Sequence, residues 1–314
     1  METENHYECV ILGGGPAGLT AGIYLSRSKQ KTLILNQGVF GGQMILTHEI
    51  ANYPGVENIN GYELANTMKK QAKSFGCEIK TFGEITDLEL EGSLKKISVD
   101  NLFHYTADSI IIATGGRSRN IGVPGENELK GKGISYCATC DGDFFTDKEI
   151  IVVGGGNSAL EEAVSLTKYA KKVTVVHQFD HFQAFEHAIE EARKHPKIEF
   201  IMESTIASFF GKDKLEGIEL LDLKSNTIQK IPIDGVFIFI GYVPNTEFLT
   251  EKISLNSWGE IKVDAYLSTE IEGVYAAGDC IAKKYRQITT AVSDGTIAAL
   301  NAANYINELK KKKP

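Results

Sequence analysis

Short apolar runs recur along the chain, and each stops at glycine or at a polar side chain. Tyr7 to Leu12, Thr32 to Leu35, Ile110 to Ala113, Ile150 to Val153, Val173 to Val176 and Val236 to Ile240 have the length and β-branched content of buried strands. Between them, Leu19 to Leu25 and Leu160 to Leu166 carry apolar residues at helical spacing. No run approaches the roughly 20 apolar residues that cross a bilayer, so no membrane segment is expected.

Two of these strand-to-helix passages repeat one another. Tyr7–Leu12 runs into Gly13-Gly14-Gly15-Pro16-Ala17-Gly18, and Ile150–Val153 runs into Gly154-Gly155-Gly156-Asn157-Ser158-Ala159, each opening a helix. A further strand follows each helix, ending at Asn36 and at His177, 23 positions after the first glycine in both cases. One glycine fingerprint is weak, but two copies in matching context, offset by 141 residues, predict two dinucleotide-binding units. The first glycine permits the tight turn, the second lets the backbone approach a pyrophosphate, and the third position lets helix and strand pack closely. Backbone N–H groups at the helix start receive the phosphate charge.

A late segment, Gly273-Val274-Tyr275-Ala276-Ala277-Gly278-Asp279, has a strand but no fingerprint, so it is expected to complete the first site. The predicted fold is therefore α/β with two Rossmann-like dinucleotide-binding domains, the second inserted into the first. Residues 1–116 and 246–314 form the discontinuous first domain, and 117–245 the second.

Cys137-Ala138-Thr139-Cys140-Asp141 places a thiol pair just before the second glycine turn. Cys-x-x-Cys spacing lowers one thiol's pKa enough for attack as thiolate near neutral pH. A zinc site needs two more ligands, and there is no second such pair. His177 and His181 lie four apart in loop-like text and do not supply one, so no metal is expected. Cys9 and Cys77 sit in apolar text and read as small hydrophobes, as does Cys280. Asp141 reads either as a turn residue in Asp141-Gly142-Asp143 or as a proton donor to the thiols.

The 314 residues carry a formal charge of −8, which argues against a nucleic-acid partner. The run Lys310 to Lys313 reads as a solvated tail. Met1 to His6 lacks the basic and apolar regions of a secretory signal, so a cytoplasmic location is expected.

Taken with Gly41-Gly42-Gln43, Glu49-Ile50-Ala51-Asn52-Tyr53-Pro54-Gly55 and Tyr285-Arg286-Gln287, these motifs resemble the low-molecular-weight, bacterial-type thioredoxin reductases over essentially the whole chain. The resemblance implies FAD on the first domain, held by Gly13, Gly15, Pro16, Ala17, Gly18, Gln43, Asn52, Thr114, Gly115, Gly278, Asp279, Arg286, Gln287 and Ile288. It implies a nicotinamide dinucleotide on the second, held by Gly154, Gly156, Asn157, Ser158, Ala159, His177 and Gln178. Cys137 and Cys140 become the redox-active disulfide, Asp141 the acid beside it, thioredoxin the partner, and a homodimer the assembly. Nicotinamide releases a hydride, flavin relays two electrons, and a disulfide accepts the pair.

The chain departs from that family after the second strand of its nicotinamide domain. Family members carry arginines there for the 2′-phosphate of NADPH, whereas this stretch reads His177-Gln178-Phe179-Asp180-His181-Phe182-Gln183-Ala184. A 2′-phosphate wants guanidinium partners, and Asp180 repels it. NADH is the expected donor, a protein donor such as ferredoxin ranks second and NADPH third. Asn36, in the matching place of the first unit, also lacks the usual ribose-binding acid. Two further readings stay open: a reductase of another small disulfide protein, glutaredoxin-like, and a flavin-bound sensor module whose thiol pair reports redox state.

Overall fold

Alternating strand and helix text folds into α/β layers, because each helix must bury one apolar face against a sheet. The structure, a computed structural model, describes residues 5–47 and 50–312. The Met1–Glu4 start, Glu49 of the sequence motif and Lys313 of the basic run lie outside the described residues.

Along the chain come β1 (His6–Leu12), α1 (Pro16–Arg27), β2 (Thr32–Gln37), a 3₁₀ turn (Gly42–Leu46), α2 (Gly61–Ser74), β3 (Glu78–Phe82), β4 (Ile85–Glu89), β5 (Lys95–Val99), β6 (Phe103–Ile112) and β7 (Gly116–Ser118). Next are α3 (Glu126–Leu129), β8 (Ile134–Ser135), α4 (Ala138–Asp141), a 3₁₀ turn (Gly142–Phe145), β9 (Glu149–Val153), α5 (Asn157–Leu166), β10 (Lys172–Val176), α6 (Glu186–Lys194), β11 (Ile198–Ile201), β12 (Ser204–Phe210), β13 (Gly217–Asp222), β14 (Thr227–Pro232) and β15 (Gly235–Ile238). The chain closes with β16 (Tyr242–Pro244), a 3₁₀ turn (Glu247–Leu249), β17 (Val274–Ala276) and α7 (Ile288–Lys312).

The chain divides into two units, Met1–Arg117 with Val243–Pro314, and Ser118–Tyr242. Residues 243–247 stay with the first unit for a visible reason. Asn245 N–H donates to Gly115 O (2.9 Å), and Thr114 and Asn245 exchange side-chain-to-backbone bonds of 2.8 and 3.0 Å.

The first unit is built on a sheet in the order β3-β2-β1-β6-β5-β4, with β17 also paired to β6. Strand β6 is long enough to serve two neighbours on one edge: Phe103–Ala107 pairs antiparallel with β5, and Ile110–Ile112 pairs parallel with β17. The late Gly273–Asp279 segment is thus tied into the first sheet. Helix α7 lies against α1 through a small-residue face, with Gly295, Ala298, Ala299, Ala302 and Ala303 buried. A Cβ on Gly295 would stand 2.2 Å from Ala17 O, so only glycine allows this approach.

The second unit has a wholly parallel sheet, β11-β10-β9-β15-β8, and a separate antiparallel sheet, β12-β13-β14. Strand β9 feeds two cores by simple alternation: Ile150 and Val152 join one buried cluster, Ile151 and Val153 the other. Burial on both faces explains why these strands read as continuous apolar runs. The apolar text Val236–Ile240 overruns its strand, which ends at Ile238.

Candidate active site: two glycine turns and a thiol pair

In the first unit, three strands end side by side. Gly13 follows β1, Thr114 and Gly115 follow β6, and Gly278 and Asp279 follow β17, in the register that joins Leu12 to Ile112 and Ile112 to Ala276. Ligands of open α/β sheets bind outside such carboxyl ends. The Gly41–Gln43 segment is added by Gly41 N–H donating to Gly14 O (2.8 Å). Gln43 stands exposed beside it, and Asn52 is exposed on the Ala51–Glu57 loop, which lines an open depression.

Each glycine of the turn behaves differently. Gly13 has φ +115°, and a Cβ there would meet Ala113 O at 2.2 Å. A Cβ on Gly18 would come within 1.9 Å of Gly13 O, so helix and strand need glycine to pack. A Cβ on Gly15 meets nothing nearer than 3.9 Å, which leaves open space on the side where a pyrophosphate lies. Helix α1 starts with Pro16 and has neither a side-chain cap nor an acidic first turn, so neither its cap residue nor its own first turn takes up its first N–H donors.

Asp279 carries the most direct sign that this turn receives a hydrogen-bond donor. Its Oδ1 is buried and makes no hydrogen bond among the described residues. A polar atom in that state costs stability unless a ligand or water donates to it. Burial pushes the Asp279 carboxyl up, with Lys283 and then Arg286 pulling it back. Gly278 sets Asp279 against α1, since a Cβ on Gly278 would touch Ala17 Cβ at 2.9 Å. Arg286 is paired with Glu260, and Gln287 N–H donates to Thr290 Oγ1 (3.1 Å) at the start of α7, which begins at Ile288. These residues fit FAD: a glycine turn for its pyrophosphate and a buried carboxylate oxygen for a hydroxyl of its ribityl chain.

Asn36 has a structural task that its position in the sequence did not disclose. Its Oδ1 accepts from Gly14 N–H (2.8 Å), and its Nδ2 donates to Gly38 O (3.0 Å). The amide braces the glycine turn from below.

The second turn repeats the pattern. Gly154 has φ +141° and no room for a Cβ, which would meet Phe239 O at 2.3 Å. A Cβ on Gly156 would meet only Gln183 O, at 4.0 Å. Ala159 is fully buried in the packed third position, and α5 again has no side-chain cap and no acidic first turn. Asn157 and Ser158 open that helix, with Ser158 exposed.

The loop after β10 is stitched onto this turn. Gln183 N–H donates to Gly155 O (2.8 Å), and Phe185 N–H donates to Asn157 Oδ1 (2.7 Å). His177 is only 5 % exposed, shares a hydrogen bond of 3.1 Å between Nε2 and His181 O, and packs so closely under Gly155 that a Cβ there would meet its ring at 2.4 Å. Burial pushes its imidazole down, and the bond to His181 O opposes this. Gln178 is exposed at the loop's start, and Asp180 pairs with His181 at 2.6 Å.

Cys137 and Cys140 form a disulfide, Cα to Cα 5.3 Å, across the short helix α4. Cys137 is the helix cap, its Sγ accepting from Cys140 N–H at 3.2 Å. Ser135 joins the pair to the acid: its Oγ accepts from Cys137 N–H (3.1 Å) and donates to Asp141 Oδ2 (2.5 Å). The sequence reading did not single Ser135 out, although a hydroxyl two residues before the first cysteine was the available signal. Burial pushes the Asp141 carboxyl up, the Ser135 bond opposes this, and the charge of Asp143 adds to it. Cys9, Cys77 and Cys280 are buried free thiols; burial pushes Cys77 up to about 12 and Cys280 to about 11, so neither is a nucleophile at neutral pH.

Asp141 also gives the second unit a pH signature. A carboxyl whose folded pKa lies above its unfolded value adds stability below the unfolded pKa and loses it as pH rises through the folded one. Asp141→Asn stays neutral throughout, so its thermal midpoint should gain on wild type between pH 4 and pH 8. A constant difference across that range would show that burial does not disfavour the carboxylate.

No helix among the described residues is long and apolar enough to cross a membrane, and none of their acidic, histidine and cysteine side chains gather into a metal cluster.

Residues 7–295 match the family described as pyridine nucleotide-disulphide oxidoreductase. The thioredoxin reductase of Peptoclostridium acidaminophilum is 44 % identical over 310 residues, covering 96 % of this chain and 98 % of that one. The solved thioredoxin reductase of Streptococcus pyogenes is 40 % identical, with a TM-score of 0.94 over 98 % of this chain and 100 % of that chain. A ferredoxin-flavin thioredoxin reductase from Clostridium acetobutylicum is 31 % identical, with a TM-score of 0.53 over 98 % of this chain and 99 % of that one.

Proposed function

The chain belongs to the pyridine nucleotide-disulphide oxidoreductases, and within them to the bacterial-type, FAD-dependent thioredoxin reductases, and from that premise we propose that NADH feeds its Cys137–Cys140 pair. One observation carries the choice of donor: between His177 and Phe185, the loop bonded to the second glycine turn contains no lysine or arginine. A 2′-phosphate brought to that loop meets two glutamines, Gln178 and Gln183, and the carboxylate of Asp180. A 2′-hydroxyl needs only a hydrogen bond, which the exposed Gln178 amide can supply.

The open side of Gly15 and the uncapped N–H groups that start α1 would hold the FAD pyrophosphate, and Asp279 would accept from its ribityl chain. When bound, FAD accepts a hydride and passes on two electrons, one pair at a time. The disulfide takes that pair with two protons and opens to two thiols. One of them attacks the disulfide of thioredoxin as thiolate and forms a mixed disulfide. The second thiol displaces the partner, which restores Cys137–Cys140 and leaves thioredoxin with two thiols. Asp141, its carboxyl pushed up by burial and held by Ser135, donates to the departing thiolate and takes the proton back.

A protein donor is the second reading, and the likeness to the ferredoxin-flavin enzyme of Clostridium acetobutylicum speaks for it. Against it, Gly154 keeps the tight turn, Gly156 the open approach and Ala159 the packed third position of the fingerprint. Stopped-flow bleaching of the flavin by NADH, NADPH and reduced ferredoxin separates the three. NADH should bleach it at least tenfold faster than NADPH; fast reduction by NADPH alone would overturn the proposal, and reduction by ferredoxin alone would establish the second reading.

A further inference from the structure

Lys283 is a cation almost enclosed by protein, its side chain 13 % exposed, and it faces two carboxylates that are themselves mostly buried. Its Nζ lies 2.6 Å from Asp294 Oδ2 and 3.4 Å from Asp279 Oδ1, and it also donates to Thr290 Oγ1 at 3.3 Å. Asp294 projects from α7, and its Oδ2 also accepts from Gly278 N–H (3.2 Å). One oxygen of Asp294 therefore gathers the lysine and the backbone of the residue just before Asp279.

This arrangement has a charge problem that Lys283 relieves first and Arg286 second. Two carboxylates stand beside the turn that is to receive a dianionic pyrophosphate, and at low dielectric their repulsion acts with little screening. Asp279 keeps Oδ1 without a hydrogen bond because Lys283 sits at ion-pair distance and spends its short contact on Asp294. The lysine offsets the charge of Asp279 while leaving that oxygen open to a ligand donor.

We propose that Lys283, anchored by Asp294, is a positioning residue for FAD: it holds Asp279 ionised and aimed, and lowers the negative potential where the pyrophosphate binds. This rests on the reading that FAD occupies the first glycine turn. Asp294 also steers Gly278, so the pair fixes both halves of the Gly278-Asp279 step.

The test is FAD release from purified holoenzyme on serial dilution, read by the rise in free-flavin fluorescence. Lys283→Met should weaken FAD at least tenfold, and Lys283→Arg should stay within threefold of wild type. Asp294→Asn keeps an oxygen for Gly278 N–H but removes the charge that holds Lys283 off Asp279 Oδ1, so it should weaken FAD, though less than Lys283→Met does. Far-ultraviolet circular dichroism checks that each variant is folded. Wild-type retention by Lys283→Met, or release from Asp294→Asn as easy as from Lys283→Met, would overturn the inference. Gly15→Ala in the same assay separates the two levels: if it too retains FAD, the placement of the cofactor fails, and not only the role of Lys283.

Discussion

Cys140→Ser should abolish reduction of a protein disulfide, by about a thousandfold or more, while the enzyme keeps its FAD. The pair at Cys137 and Cys140 is bonded in the structure and is the only disulfide among the described residues; the other three cysteines are buried free thiols. A hydroxyl cannot form the S–S bond that stores two electrons, and no other thiol can take its place. The substitution touches little else. The buried cluster beneath α4 is made by Ala138, Phe145, Ile150 and their neighbours, not by the cysteines. The measurement is turnover with thioredoxin, alongside the flavin absorbance of the purified variant. Retained turnover would sink the relay, and loss of flavin colour would mean that the pair supports the fold. A glutaredoxin-like substrate in the same assay tests the other partner, and a variant indistinguishable from wild type with every disulfide protein would favour a sensor.

Gly15→Ala should leave the protein as stable as wild type and weaken FAD by about a hundredfold, the effect of blocking close backbone approach to a pyrophosphate. Two observations make this more than a fingerprint argument. Gly15 has φ −79°, which alanine adopts without strain, and the added methyl would meet no protein atom nearer than 3.9 Å. Its only obstacle is a ligand. Gly13 provides the contrast, because alanine there is strained at φ +115° and collides with Ala113 O at 2.2 Å. Gly13→Ala should therefore lower the thermal midpoint of the protein itself. Equal FAD affinity in Gly15→Ala and wild type would remove the cofactor from this turn.

The glycine turns were legible in the text because their requirements are local. A tight turn, an open approach and a close-packed third position each leave a mark within six residues, and the 141-residue offset doubled the signal. The thiol pair was legible for the same reason. The tasks of Asn36 and His177 were not: their positions showed only that the usual ribose-binding acid is missing, and the structure adds that Asn36 braces Gly14 and His177 packs under Gly155. Nothing in one-dimensional spacing tells which face of a turn a strand-end side chain will reach. The missing arginines were visible from the sequence, whereas the bonding of their loop to Gly155 and Asn157 was not.

By itself the sequence determined the α/β class, the duplicated turn and the chemistry of Cys137 and Cys140, because each depends on residue type and short-range periodicity. The tertiary structure alone decided which side chains meet, Ser135 between Cys137 and Asp141 and Lys283 between Asp279 and Asp294, and which distant strand ends lie together, Leu12 beside Ile112 and Ile112 beside Ala276. The physical reason is that charge and hydrogen bonding act over a few ångströms of space. Parallel strands with helical crossovers bring together, at one sheet edge, residues that the chain keeps far apart.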